Sequence, residues 1–310
     1  MIVFGLIAER DVNFFLNIAK QIEAKSEEEV SFISFYEPGN KKINKAGFKV
    51  YNLYDYVQRK SNDIDFSDYL IDNIKNFTLH EMVTFNSSEK KVINKYKQYL
   101  PAMNNIIKDL IHSAENKKVT IFQELGGFAA PLSLYFCSIK NKVDHYFFEP
   151  SFFKGRLLFV KNDYLSFQVS DNNLSDFNIE DKLKELIGNK TTVIPKKDVH
   201  HFKYNVFKKI ATFKNVKVIF TKIFNKYIFL QKEEYNHIFN HIFRNLNYMF
   251  NSYFIKKFYS KKIDNKNFNI YFPLHVPLDY ALTIRTPQYF DQLSLIEQIL
   301  TLSNKNNFKL

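Results

Sequence analysis

Tryptophan is absent from this 310-residue chain, cysteine occurs once, and only seven residues are glycine. The lone Cys137 excludes an internal disulfide and fits a reducing compartment. No apolar run approaches the ~20 residues that span a bilayer, so the chain reads as cytoplasmic or peripheral to a membrane. Its first residues, Met-Ile-Val-Phe-Gly-Leu-Ile-Ala, carry no basic leader and no cleavage pattern, and read as a strand rather than a signal peptide. Arginine is scarce as well: 39 of the 44 basic residues are Lys and 5 are Arg. Because bidentate phosphate and base recognition favours Arg, and the Lys are scattered, nucleic acid is not an expected partner. The net charge of +12 fits attraction to an anionic membrane surface or a charged substrate equally well. Nor is a metal expected, since His237 and His241 stand at helical spacing without the acidic residue of a His-Glu-x-x-His pattern.

What is present describes a folded chain, with 45% hydrophobic residues, 34 Phe and 19 Tyr. The first half alternates strand and helix signals. Ile2–Ile7, Val30–Tyr36, Phe48–Leu53, Val119–Gln123 and Tyr146–Phe148 read as short buried strands. Asp11 caps a helical stretch with apolar Val12, Phe15, Leu16, Ala19 and Ile22, and Glu37-Pro38-Gly39-Asn40 reads as a turn. A helix over Ser88–Asn116 is expected to be interrupted or kinked at Pro101, and Gly127–Ile139 reads as an apolar helix. This order argues for an α/β fold with a parallel sheet covered on both faces.

Beyond it, Leu157–Val160 and Leu165–Val169 suggest a hairpin, and Asp176–Ile187 and Lys203–Ile210 look helical. Glu233 to about Tyr259 reads as an aromatic-rich helical stretch, whose part around Tyr248–Phe258 could lie on a membrane, although packing on the first domain is the expectation. Lys261–Asn267 reads as a linker, followed by strand Phe268–Phe272, loop Pro273–Pro287 and helix Gln288–Leu300. The expected organisation is one domain over 1–260, then a linker and a single β-α unit over 261–310.

Chemistry concentrates between Gln123 and Arg156, which hold three of the glycines, two strand-end glutamates and one of the arginines. Glu124 precedes Gly126-Gly127 and a helix. It is either a carboxylate at the sheet's carboxyl edge, beside N–H groups able to hold an oxyanion, or an acid complementing a helix dipole. Gly-Gly-Phe-Ala-Ala lacks the spacing of a dinucleotide fingerprint. Glu149-Pro150-Ser151, with Lys154 and Arg156, reads as an anion-binding loop facing Glu124 across adjacent strands, or as a turn with an ordinary ion pair. His275, in Tyr-Phe-Pro-Leu-His-Val-Pro-Leu-Asp, could bind a phosphate or hydroxyl, act as an acid, or serve as a structural donor, and Arg285 could hold a phosphate.

Three segments together resemble the capsule polysaccharide biosynthesis family of bacterial glycosyltransferases: Glu124–Gly127, Glu149–Arg156 and Phe272–His275. The stretch Arg285–Leu300, with Tyr289, Asp291-Gln292 and Leu295-Ile296, also looks like the first helix of that family's second domain. The resemblance implies two Rossmann-like domains facing across a cleft, the GT-B arrangement, with the acceptor on the N-terminal domain and a nucleotide sugar on the C-terminal one. Related capsule enzymes include users of the cytidine-linked acid sugar Kdo. The family's Lys-Glu-His-Pro-like donor strand does not occur within these 310 residues, so the second domain is expected to be incomplete here. The implied activity is inverting transfer to a glycan or glycolipid, without a cofactor. Glu124, or else Glu149, would be the base, and Lys154, Arg156 and His275 would hold charged groups. The alternative is a non-catalytic binding or assembly subunit working with other capsule-assembly proteins at the inner membrane surface.

Overall fold

The computed structural model describes residues 1–59, 64–69, 71, 74–115, 117–151, 156–164, 184, 212–234, 237–258, 270, 272, 281–286 and 289–305. Strands β1 (Ile2–Leu6), β2 (Val30–Ser34) and β3 (Lys49–Asn52) alternate with helices α1 (Glu9–Lys25) and α2 (Glu37–Lys45). Helices α3 (Leu53–Gln58), α4 (Ile74–Phe77), α5 (Leu79–Thr84) and α6 (Glu89–Ser113) lead into β4 (Thr120–Glu124). Then come α7 (Ala129–Lys140), β5 (Asp144–Pro150) and β6 (Leu157–Lys161). Farther along lie α8 (Phe213–Tyr227), α9 (Ile238–Ile255) and α10 (Gln292–Lys305).

The six strands form one sheet in the order β3-β2-β1-β4-β5-β6, parallel except for the β5–β6 pair. Its two faces follow the period of two along β1: Val3 points one way, Phe4 and Leu6 the other. Val3, Ile33 and Ile121 pack under α6 and α7 with Leu100, Met103, Ile107 and Leu134. Phe4, Phe32, Phe122 and Phe148 pack under α1 and α2 with Phe15, Leu16 and Ile43. Both sides of the sheet are therefore covered along its central strands, which is why β1, β2 and β4 read as apolar runs without alternation, while edge strand β6 leaves Leu157, Leu158 and Phe159 exposed.

Local chemistry places the helix starts. The Asp11 carboxylate accepts from the backbone N–H of Ile7 (2.9 Å) and Ala8 (3.0 Å), so α1 begins two residues before the acid that caps it. Residues 37–40 are the first turn of α2 and not a loop, because Pro38 tolerates the opening positions of a helix, where no N–H partner is needed. Helix α6 is continuous from Glu89 to Ser113 with Pro101 inside it, and Ser88 caps it by accepting from the Lys91 N–H.

Strand Leu157–Lys161 pairs antiparallel with β5; the other half of the expected hairpin, 165–169, lies outside the described residues. Two further expectations are revised. The long aromatic helix begins at Ile238, not Glu233: residues 232–234 instead run extended beside the end of β2, through a Tyr36–Glu233 bridge and a Glu37 N–H to Lys232 carbonyl bond of 3.0 Å. Residues 281–285, expected within a loop, form a helical turn, and the last helix starts at Gln292. The expected helices over 176–187 and 203–210, linker 261–267 and strand 268–272 lie outside the described residues, apart from isolated positions.

One buried polar group in this frame responds to pH. His145 on β5 is fully buried, its Nδ1 3.2 Å from the Ser138 hydroxyl of α7 and its Nε2 without a hydrogen-bond partner among the described residues. Burial pushes its pKa down to about 3. The folded chain keeps the ring neutral, whereas the unfolded chain protonates it below about pH 6.5. Stability that is complete above pH 6.5 is therefore lost as the pH falls toward 3, at up to about 1.4 kcal/mol per pH unit. In a denaturant titration repeated across this window, His145→Gln flattens the acid limb.

Candidate functional site at the carboxyl edge of the sheet

Strand order reverses between β1 and β4, since β1 leads outward to β2 and β3 while β4 leads the other way to β5. The chain therefore diverges after β1 and β4 at the strands' carboxyl ends, the position where open α/β sheets take their ligands. Glu124, the last residue of β4, stands at this point. Its Oε2 accepts from the Arg10 guanidinium at the start of α1, and its Oε1 makes no hydrogen bond among the described residues. Arg10 is 69% exposed and Glu124 28%, so the pair forms a rim rather than a core. Burial raises the Glu124 pKa, Arg10 opposes that shift, and the nearby Asp11 adds to it. The result is a carboxylate with one open oxygen and more basicity than an exposed glutamate.

The two glycines beside it do different work. A Cβ on Gly126 would make only ordinary contacts, the nearest at 3.6 Å, which leaves that position open to close approach. A Cβ on Gly127 would stand 2.6 Å from the Phe77 carbonyl, so this glycine lets α4 pack against the start of α7. The N-terminus of α7 is also partly occupied: the Ala129 N–H donates to Glu81 Oε2 at 3.0 Å, taking one of the N–H groups expected to receive an oxyanion. Gly127→Ala is expected to lower stability by about 1–3 kcal/mol, while Gly126→Ala changes it little, as equilibrium unfolding of the two variants would measure.

Glu149 lies on the strand beside Glu124, but the two do not face each other. Glu124 registers with Phe148, so their side chains share the α1 face and Glu149 points to the opposite one. There Glu149 is held by Arg285, which donates through Nη1 at 2.8 Å and also through Nη2, and places its Nε 3.4 Å from the Tyr164 carbonyl. The expected phosphate ligand Arg285 is thus the partner of Glu149, and each side chain of the pair is about seven-eighths buried. Ser151 and Arg156 close the β5–β6 hairpin, where the Ser151 N–H donates to the Arg156 carbonyl at 3.2 Å. Lys154 and His275 lie outside the described residues.

A second cluster carries no motif. A cleft of about 570 Å³ opens beside the ends of β2 and β3, between α5, α6 and the 232–234 segment. In its wall Lys95 Nζ lies 2.6 Å from Glu81 Oε1 and 2.7 Å from Glu234 Oε2, with Glu234 fully buried and Glu81 nearly so. Burial opposes the Lys95 charge, but Glu234 and Glu81 outweigh it and hold the ammonium protonated. Burial raises the Glu234 pKa, with Lys95 opposing and Glu81 reinforcing. One signal for this cluster was readable: Lys95 falls among Val92, Tyr96 and Tyr99 on the inner stripe of α6, where an unpaired lysine would not be tolerated. Lys95→Met leaves two buried carboxylates without their cation, an expected loss of about 3–5 kcal/mol. Because the raised pKa of Glu234 lets it take up a proton and relieve the repulsion, the deficit shrinks as the pH is lowered, and thermal unfolding at several pH values reads both effects.

Among the described residues no group of three His, Cys, Asp or Glu could hold a metal ion, and no helix is long and apolar enough to cross a membrane. The chain matches no family model, no curated protein and no solved structure.

Proposed function

We propose that the chain is a glycosyltransferase of bacterial capsule or surface-polysaccharide synthesis, and that its sheet forms the acceptor side of a GT-B arrangement. The observation that carries this reading is Glu124: a half-buried carboxylate of raised pKa at the reversal in strand order, beside a glycine that a sugar ring can approach. In the proposed step the acceptor hydroxyl oxygen attacks the anomeric carbon of a nucleotide sugar. The bond from that carbon to the nucleotide's phosphate oxygen breaks with inversion, and the hydroxyl proton passes to Glu124. Arg10 anchors one carboxylate oxygen and leaves the other to the hydroxyl. Glu149 is set aside as the base because Arg285 engages both of its oxygens. The acceptor is a glycan or glycolipid, and no cofactor takes part.

A second reading is a non-catalytic subunit that binds glycan within an assembly complex. It is favoured by the ion pairing of both strand-end carboxylates. Incubation with a panel of nucleotide sugars and acceptors, followed by mass analysis, separates the two. Under the enzyme reading Glu124→Gln lowers kcat by roughly 10²–10⁴-fold while donor still binds. The base must be deprotonated, so turnover falls as the pH drops through a pKa above the ordinary carboxylate value. Arg10→Met moves that acid limb to higher pH, because the cation that opposes the rise is gone. Transfer by Glu124→Gln at the unaltered rate eliminates this base.

A further inference from the structure

Helices α8 and α9 carry large apolar side chains that the fold does not bury. On α8, Phe213, Val216, Phe220, Phe224 and Tyr227 recur at spacings of three and four, which places them on one face, and all five are exposed. On α9, Phe239, Phe243, Leu246, Phe250 and Tyr253 repeat the pattern, and all are exposed again. Exposure reaches 86% at Phe213 and 76% at Tyr253. The connection between the helices adds Ile228, Phe229 and Leu230, the last 74% exposed. Isolated exposed apolar residues need no explanation, but two full helical stripes mark a surface that meets something apolar.

The charge around the stripes says what that is. Residues 212–258 contain eight Lys or Arg against two acids, Glu233 and Glu234. Both acids are turned inward and ion-paired, to Lys222 and Lys95, with side-chain exposures of 9% and 0%. The solvent-facing part of this region therefore holds no carboxylate among the described residues. Exposed Lys217 lies within the α8 stripe, exposed Lys214 beside it, and exposed Lys257 follows the α9 stripe in line. A phenylalanine stripe flanked by lysines suits the boundary between acyl chains and anionic headgroups: the rings enter the apolar layer and the ammonium groups stay among the phosphates.

We propose that α8 and α9 seat the protein on an anionic lipid surface, lying in its plane without crossing it. A second copy of the chain fits less well, because apposing these faces would set lysines against lysines. A nucleic acid would use the lysines and leave ten apolar side chains in water. The proposal does not depend on the transferase reading, although a membrane seat would bring a glycolipid acceptor to the same side.

The chain has no tryptophan, so Phe224→Trp supplies a single reporter of the apolar layer. On addition of phosphatidylcholine–phosphatidylglycerol vesicles its emission shifts to the blue, and salt reverses the shift. In co-sedimentation the protein partitions to these vesicles and not to phosphatidylcholine alone. Phe220→Ser with Phe250→Ser lowers partitioning by at least about tenfold. Lys214→Gln with Lys217→Gln lowers it by roughly fivefold per lysine. All four side chains are exposed, so these variants fold, as circular dichroism checks. Glu124→Gln binds vesicles as the parent does, which keeps this result separate from the catalytic one. Absence of binding, equal binding to neutral vesicles, or unchanged partitioning of the phenylalanine variant overturns the proposal. So does a dimer in sedimentation velocity that the phenylalanine substitutions abolish while vesicles are ignored.

Discussion

Lys95 is the tie on which the carboxyl edge of the sheet depends. From the middle of α6 it holds Glu81 of α5 and Glu234 of the extended segment that lies along β2. Glu81 in turn caps α7 through the Ala129 N–H. One ammonium thus links two helices, the segment leading to α9 and, through Glu81, the helix that follows Glu124. Such an arrangement is poor evidence for added stability, since an apolar replacement of the whole cluster could serve as well. Its effect is on uniqueness: two buried carboxylates accept only the geometry that brings the lysine to both. The loops around the switch point inherit their positions from that geometry.

Strand β1 and its neighbours were legible because a sheet sealed on both faces demands short, uninterrupted apolar runs, and Ile2–Leu6, Val30–Ser34 and Thr120–Glu124 are such runs. Misreadings arose where one set of residues serves two structures. Glu37-Pro38-Gly39-Asn40 suits a turn and also the first turn of a helix. Helix is what forms, with Gly39 set so close to Val12 that a Cβ would lie 2.5 Å from its methyl. That contact is tertiary and leaves no local mark. The strand Leu157–Lys161 was visible too, but its partner was not, because pairing depends on which strand lies alongside.

The candidate site divides in the same manner. Glu124, Gly126 and Glu149 stood out through residue type and position at strand ends. Whether the two glutamates converge depended on the register of β4 against β5, which period-two counting within one strand does not supply. Glu81 and Glu234 lie far from each other in the chain and obey no motif. The aromatic helix was expected to pack on the sheet domain, and near its start it does, with His237 and His241 against the Phe85 ring and Asn240 donating to the Phe85 carbonyl; its apolar stripe turns outward.

Opposite orientation of neighbouring glutamates has a consequence for how this protein can vary. Arg10–Glu124 and Arg285–Glu149 lie on opposite faces, with the full thickness of a close-packed sheet between them. Exchanging the charges of one pair leaves the other's surroundings untouched, so their energies add rather than couple. A lineage could therefore retune one face for a new ligand while the other continues to fasten the chain around Arg285, each change selected on its own.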